Sequence, residues 1–272
     1  GILAGFLLWL VAGPYVSRDV EGYLRKNFAL QCWWARTLAG GAFKLFSIQL
    51  EVEGLREFRG RPILLFVRHA STADAVLPAM LVGVPQEIML RYIMKRELLV
   101  DPCLDIVGNR LPNYFVRRGS GEGAKEIEVI SQLMCDLSPG QGVLMYPEGA
   151  RFTVAKRVRI LKRLEASGDR DTLRRVTDMP HVLPPRLGGS LALLERNEGA
   201  DAVFCVHTGL ESTTSIGQLW RGGLVGSRVQ VKFWVVPFEE IPKGRIALSD
   251  WLWAEWAKVN AFLEDTKGKE VC

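Results

Sequence analysis

Pro62-Ile63-Leu64-Leu65-Phe66-Val67-Arg68-His69-Ala70-Ser71-Thr72-Ala73-Asp74 is the stretch whose reading decides the fold. Residues 62–67 carry no charge and stop at an arginine. So short an unbroken apolar run reads as a strand buried on both faces, the condition of a parallel sheet covered by helices. Residues 72–82 then read as a helix, so His69 and Asp74 fall where a strand ends and a helix begins. Open sheets bind ligands at that carboxyl edge. Ser71-x-x-Asp74 also has the form of a helix capping box, which accounts for Asp74 without chemistry but leaves His69 unexplained. A carboxylate beside one imidazole nitrogen sets the tautomer and stabilises the imidazolium, so the other nitrogen can take a proton from an alcohol.

Working outward, the same alternation continues. Residues 87–94, 114–117, 142–146 and 202–208 read as strands, and residues 95–104, 122–137 and 190–196 as helices. Residues 228–236 alternate like an antiparallel or edge strand. A final helix over 249–263 carries Trp251, Trp253, Trp256 and Phe262. Strands alternating with helices predict an α/β fold with a mainly parallel sheet flanked by helices.

Other strand ends also collect chemistry-bearing residues. Leu144-Met145-Tyr146-Pro147-Glu148-Gly149-Ala150-Arg151-Phe152-Thr153 ends a strand in a glycine turn with an acid and an arginine. Amides freed at such a turn, with Arg151, would suit a phosphate; an ion-paired surface turn is the plain alternative. Arg117 and Arg118 end an apolar strand ahead of Gly119, Gly121 and Gly123, and Lys95 opens the charged run after residue 94. His181-Val182-Leu183-Pro184-Pro185-Arg186 is a rigid extended stretch leading into Gly188-Gly189.

The order and identity of these segments resemble the glycerophospholipid acyltransferase family, which includes the 1-acylglycerol-3-phosphate acyltransferases. His69 and Asp74 fit its N-H-x-x-x-x-D motif, and Arg118 falls at the arginine of its second motif. Tyr146-Pro147-Glu148-Gly149-Ala150-Arg151 fits its F-P-E-G-T-R motif. Phe152-Thr153 and Leu183-Pro184-Pro185-Arg186 look like the branch containing lysocardiolipin acyltransferases. Arg68 stands where the family usually has Asn, Arg117 where an acid often precedes the second motif's arginine, and Ala150 in place of the usual Thr. The resemblance spans residues 62–190. It implies an acyl thioester, on coenzyme A or acyl carrier protein, as donor, a lysophospholipid as acceptor, and no cofactor or metal. His69 would be the base and Asp74 its orienting partner. Arg118 and Arg151 would clamp the acceptor phosphate, with Lys95 in support. Glu148, beside Gly149, would hold a glycerol hydroxyl or Arg151.

The 272 residues suit one large domain with an appended segment, divided here as 1–50 and 51–272. The chain starts at Gly1, not Met, so residues upstream are expected. Residues 1–13 are apolar but too short to span a bilayer, which takes ~20 residues. Residues 28–50 are apolar but broken by Gln31, Arg36 and Lys44. Leu30, Trp33, Trp34, Leu38, Phe43 and Phe46 recur there at helical intervals. Two such segments in tandem predict N-terminal helices lying on a membrane, with packing on the protein's own core as the alternative. A net charge of +5 favours anionic partners. Residues 151–175 are densely basic, suited either to acidic lipid or to a solvated helix face. Five cysteines without a C-x-x-C pair predict reduced thiols, hence a catalytic domain on the cytoplasmic side. Nucleic-acid binding is not expected, since no motif accompanies the charge. A serine hydrolase acting on lipids would need G-x-S-x-G, which is absent, and a catalytically silent lipid-binding relative is the other alternative, against which the intact His69 and Asp74 argue.

Overall fold

The computed structural model describes residues 2–12, 19–58, 60–71, 73–100, 105–106, 108–116, 123–211 and 222–270. Seven strands in those residues form one sheet: β1 (Gln49–Glu53), β2 (Ile63–Val67), β3 (Met89–Lys95), β4 (Tyr114–Val116), β5 (Gln141–Met145), β6 (Asp201–Thr208) and β7 (Arg228–Val236). Their spatial order is β1-β7-β6-β2-β5-β3-β4. Every neighbouring pair is parallel except β6 with β7. The mainly parallel α/β sheet is therefore as expected.

β2 lies near the middle, and all five of its residues are buried. Strand periodicity of two then divides the core. Leu64 and Phe66 face one side with Phe204, Val206 and the fully buried Trp256. Ile63, Leu65 and Val67 face the other with Val203, Cys205, Leu77 and Val82. The helices α3 (Gly123–Gln132), α4 (Val154–Ser167), α5 (Arg170–Thr177), α6 (Leu187–Glu195) and α7 (Arg245–Glu270) follow β4 or later strands in the chain. Their apolar residues Ile130, Leu161, Val176, Leu193 and Leu252 belong to the first side.

Several expectations are corrected. Within the helix expected over 72–82, the described residues 73–82 are not a regular α-helix. A 3₁₀ turn over Ala73–Val76 gives way to a π-helical turn over Ala79–Gly83. The Asp74 carboxylate draws the amides of Ala70 and Ser71 back onto itself, which tightens the entry. The segment after β3 is a 3₁₀ turn over Arg96–Val100, and residues 101–104 lie outside the described set. β7 is antiparallel to β6 but not an edge, because β1 pairs along its other side. β1 starts at Gln49, so the sheet begins two residues before the boundary expected at 51.

The N-terminal segments form α1 (Ile2–Ala12) and one long α2 (Val20–Leu45), begun by the Asp19 side chain accepting from the Gly22 amide. Phe43 and Phe46 pack on the core beside β1. Leu3, Phe6, Leu7 and Trp9 of α1 and Trp33, Leu38 and Leu45 of α2 are exposed. No helix among the described residues is long and apolar enough to cross a membrane. In α7, by contrast, Trp253 and Trp256 are buried, and Trp256 Nε1 donates to the Leu183 carbonyl at 3.0 Å. The basic run forms α4 and α5, whose Ile160, Leu161 and Leu164 pack on the core.

Candidate active site

Strand geometry brings the chemistry together. β2 runs in register with β5 and β6, so their carboxyl ends meet at one edge. His69 leaves β2 there, and its Nδ1 lies 3.1 Å from Asp74 Oδ1. A carboxylate only accepts, so the proton sits on Nδ1 and the Nε2 lone pair is left as a base. Asp74 Oδ2 accepts from the amides of Ala70 at 2.6 Å and Ser71 at 2.7 Å. Asp74 thus caps the turn and orients His69 with the same carboxylate. Its side chain is 0% exposed and that of His69 16%. Burial alone would push the Asp74 carboxyl up. The hydrogen bonds from His207 and His69 outweigh it and hold the carboxyl well below the usual carboxylate range.

The Pro147-Glu148-Gly149 turn locks onto this strand end. Glu148 Oε1 accepts from the His69 amide at 3.2 Å, and the Phe152 amide donates to the His69 carbonyl at 2.7 Å. Glu148 Oε2 accepts from the Leu183 amide at 3.2 Å, and the Arg186 amide donates to the Pro147 carbonyl at 2.8 Å. The second side of the site, residues 183–186, is therefore tied to the first through one carboxylate. Gly149 has φ +61, and a Cβ there would meet Arg186 Cδ at 2.7 Å, so this turn requires glycine. The Tyr146 ring packs on the His69 imidazole with centroids 4.6 Å apart.

Glu148 is turned inward, 2% exposed, and bridges two backbone segments. One expectation changes here. The Gly149 amide is not freed at the turn, since it donates to the Tyr146 carbonyl at 2.9 Å. Arg151 sits on the same turn, and its carbonyl accepts from Lys156 Nζ at 2.8 Å. Lys95 ends β3 in register with Val116, at the same sheet edge but two strands from β2. Arg117 and Arg118 lie outside the described residues.

Burial pushes the Glu148 carboxyl up to about 8, against the downward pull of the Arg68 charge and the two amides. The folded protein therefore holds this proton where the unfolded chain, near 4.5, has lost it. The stabilisation is complete below pH 4.5 and is lost as pH rises to about 8. Glu148→Gln removes the titration, so its melting temperature is expected to fall less steeply than the native one across that window. Parallel slopes in thermal melts would refute this.

Sequence reasoning missed His207 and Arg68. His207 is fully buried on β6, with Nε2 3.5 Å from Asp74 Oδ2 and 3.1 Å from the Arg68 carbonyl. Arg68 is buried too, and its guanidinium donates at 2.6 Å both to the His207 carbonyl and to Glu211 Oε1. The signal for His207 was a histidine on the face of a strand beside β2, legible only with strand order known. Among the described residues no group of three or more His, Cys, Asp or Glu is arranged to hold a metal.

Residues 49–180 match the family model described as Acyltransferase. Among solved structures, this fold is similar to that of PlsC, the 1-acyl-sn-glycerophosphate (LPA) acyltransferase from Thermotoga maritima. Identity is 16%, the match covers 94% of this chain and 92% of that one, and the TM-score is 0.55. No curated protein matches the chain. The stretch that matches the Acyltransferase family model thus includes the strands that carry His69, Asp74 and the Glu148 turn, and the fold is similar to that of PlsC.

Proposed function

We propose that the chain moves a fatty acyl group from an acyl thioester to the free hydroxyl of a lysophospholipid, with 1-acylglycerol-3-phosphate as the favoured acceptor. The observation that carries this reading is the His69 Nδ1–Asp74 Oδ1 contact of 3.1 Å at the carboxyl edge of a parallel sheet. His69 Nε2 takes the proton of the acceptor hydroxyl while that oxygen attacks the thioester carbonyl. As the tetrahedral intermediate collapses, the C–S bond breaks and the thiolate leaves with the proton from His69. The new ester and a free thiol are the products, and no acyl-enzyme is required.

Arg151 and Arg118 are the cations proposed for the acceptor phosphate, as planar forks suited to bidentate contact. Lys95 adds a point charge from the next strand end but one. The donor carrier is coenzyme A or acyl carrier protein. The LPPR stretch at 183–186 supports the lysocardiolipin-acyltransferase-like branch. A monotopic placement is supported by the exposed apolar side chains on α1 and α2, which suit immersion in one leaflet, and a catalytic domain towards the cytoplasm by the free thiols of Cys32, Cys135 and Cys205.

The test is thiol release from an acyl-CoA in the presence of vesicles carrying lysophosphatidic acid or other lysophospholipids. Acceptor-dependent release with esterified product is expected, strongest with lysophosphatidic acid. Release that ignores the acceptor would mean hydrolysis and overturn the reading. The same vesicles should retain the protein at high salt, since apolar insertion is not screened.

A further inference from the structure

Asp74 is approached by two histidines. His69 meets Oδ1, and His207 meets Oδ2 from the opposite side. The sheet makes this meeting inevitable. Val67 pairs with Cys205, which puts His207 alongside His69 in the next strand. Residues 203, 205 and 207 share one face of β6, the face on which the turn carrying Asp74 packs. Both atoms near His207 Nε2, the Asp74 carboxylate and the Arg68 carbonyl, are acceptors. Nε2 therefore carries the proton.

We infer that His207 is a positioning residue for the dyad: its Nε2–H, shared between Asp74 Oδ2 and the Arg68 carbonyl, locks the carboxylate in the rotamer that serves His69. Its other nitrogen supports this. Among the described residues His207 Nδ1 is buried without a hydrogen-bond partner, and an orphaned buried polar atom is destabilising. A leucine or phenylalanine would fill the space without that penalty, so the ring is placed for what Nε2 does. The clasp is reciprocal: His207 donates to the Arg68 carbonyl, and Arg68 donates to the His207 carbonyl. Arg68 is in turn held by Glu211, whose Oε2 accepts from the Gly209 amide at 2.8 Å. Strand ends β2 and β6 are thereby stitched together directly beneath the base. Other titratable groups that feel the Asp74 charge are the buried Tyr146, Cys205 and Glu148; burial pushes each up, which favours the neutral, protonated form and adds no second negative charge beside Asp74. Both imidazoles address the carboxylate from side chains.

The inference rests on the acyl-transfer reading, and three measurements separate the two. His207→Leu should lower kcat by about 10- to 100-fold, the scale seen when a partner that orients a functional histidine is lost, with KM for the acceptor little changed. His207→Gln, whose amide nitrogen stands close to where Nε2 stood, should recover most of that loss. In an Asp74→Asn background His207→Leu should cost almost nothing further, because the group it acts through is already gone. Equal losses in both backgrounds, or a glutamine variant as slow as the leucine one, would overturn the assignment. The wild-type protein gives an independent readout that needs no variant to fold. Only three histidines are present, so nitrogen NMR of labelled protein can read each tautomer. His207 protonated on Nε2 and bare on Nδ1 is expected, and the reverse tautomer would sink the inference. Thiol release that ignores the acceptor refutes the acyl-transfer reading; acceptor-dependent release with a dead His69→Ala beside a native-rate His207→Leu refutes only the role of His207.

Discussion

His69→Ala is expected to lower turnover by about 10³- to 10⁴-fold, or about 4–5.5 kcal/mol of barrier, the upper range for loss of a positioned general base. The alcohol hydroxyl is a poor nucleophile at neutral pH. Without Nε2 beside it, the proton must go to solvent as the C–O bond forms. The cost should fall on kcat, because the side chain binds the acceptor only through the proton it removes. Stability should be nearly native. His69 holds its neighbours through its backbone, whose amide donates to Glu148 and whose carbonyl accepts from Phe152, and alanine keeps both contacts. The check is initial-rate thiol release beside a thermal melt. Near-native turnover from a folded His69→Ala protein would refute base catalysis by this residue.

Asp74→Asn is expected to cost about as much in turnover and, unlike His69→Ala, to lower stability as well. Donors that converge on the carboxylate include His69 Nδ1, the amides of Ala70 and Ser71, and His207 Nε2. An amide accepts at one end only. With its NH₂ toward His69, the imidazole must move its proton to Nε2 and loses the lone pair that acts as base; tautomer loss of this kind is worth about 10⁴-fold in serine proteases. With its NH₂ toward Ala70 and Ser71, two backbone donors face a third donor in a buried site, at about 1–3 kcal/mol for each group left unsatisfied. Either orientation harms the enzyme. A variant with native activity and a native melting temperature would show that Asp74 is no more than a replaceable cap.

Much of the fold was open to reading before the structure. Ile63–Val67 is uncharged from end to end, and only a strand buried on both faces sustains that in so short a run. Arg228–Val236 alternates, and it is the strand that runs antiparallel to its neighbour. What misled was local. β1 alternates leucine and valine with exposed Gln49, Glu51 and Glu53, so its strand character was masked by the apolar helix before it. The stretch after His69 reads as an α-helix in the sequence, whereas the inward pull of Asp74 on two amides imposes a tighter entry.

For the site, the spacing of His69 and Asp74 within one strand–turn unit was enough to predict their contact, because residues five apart across a tight turn have few ways to be distant. The grouping of Tyr146-Pro147-Glu148-Gly149-Ala150-Arg151 with that unit followed from their both ending strands of one parallel sheet. Which way Glu148 points, and that Gly149 uses its amide within the turn, depended on contacts with His69, Leu183 and Tyr146. The sequence by itself determined the strand-and-helix order and the dyad, both products of local spacing and hydrophobic period. Only the tertiary structure decided that His207 and Arg68, 139 residues apart in the chain, clasp each other under Asp74, because strand neighbours in a sheet are chosen by packing over the whole domain and leave no local signal.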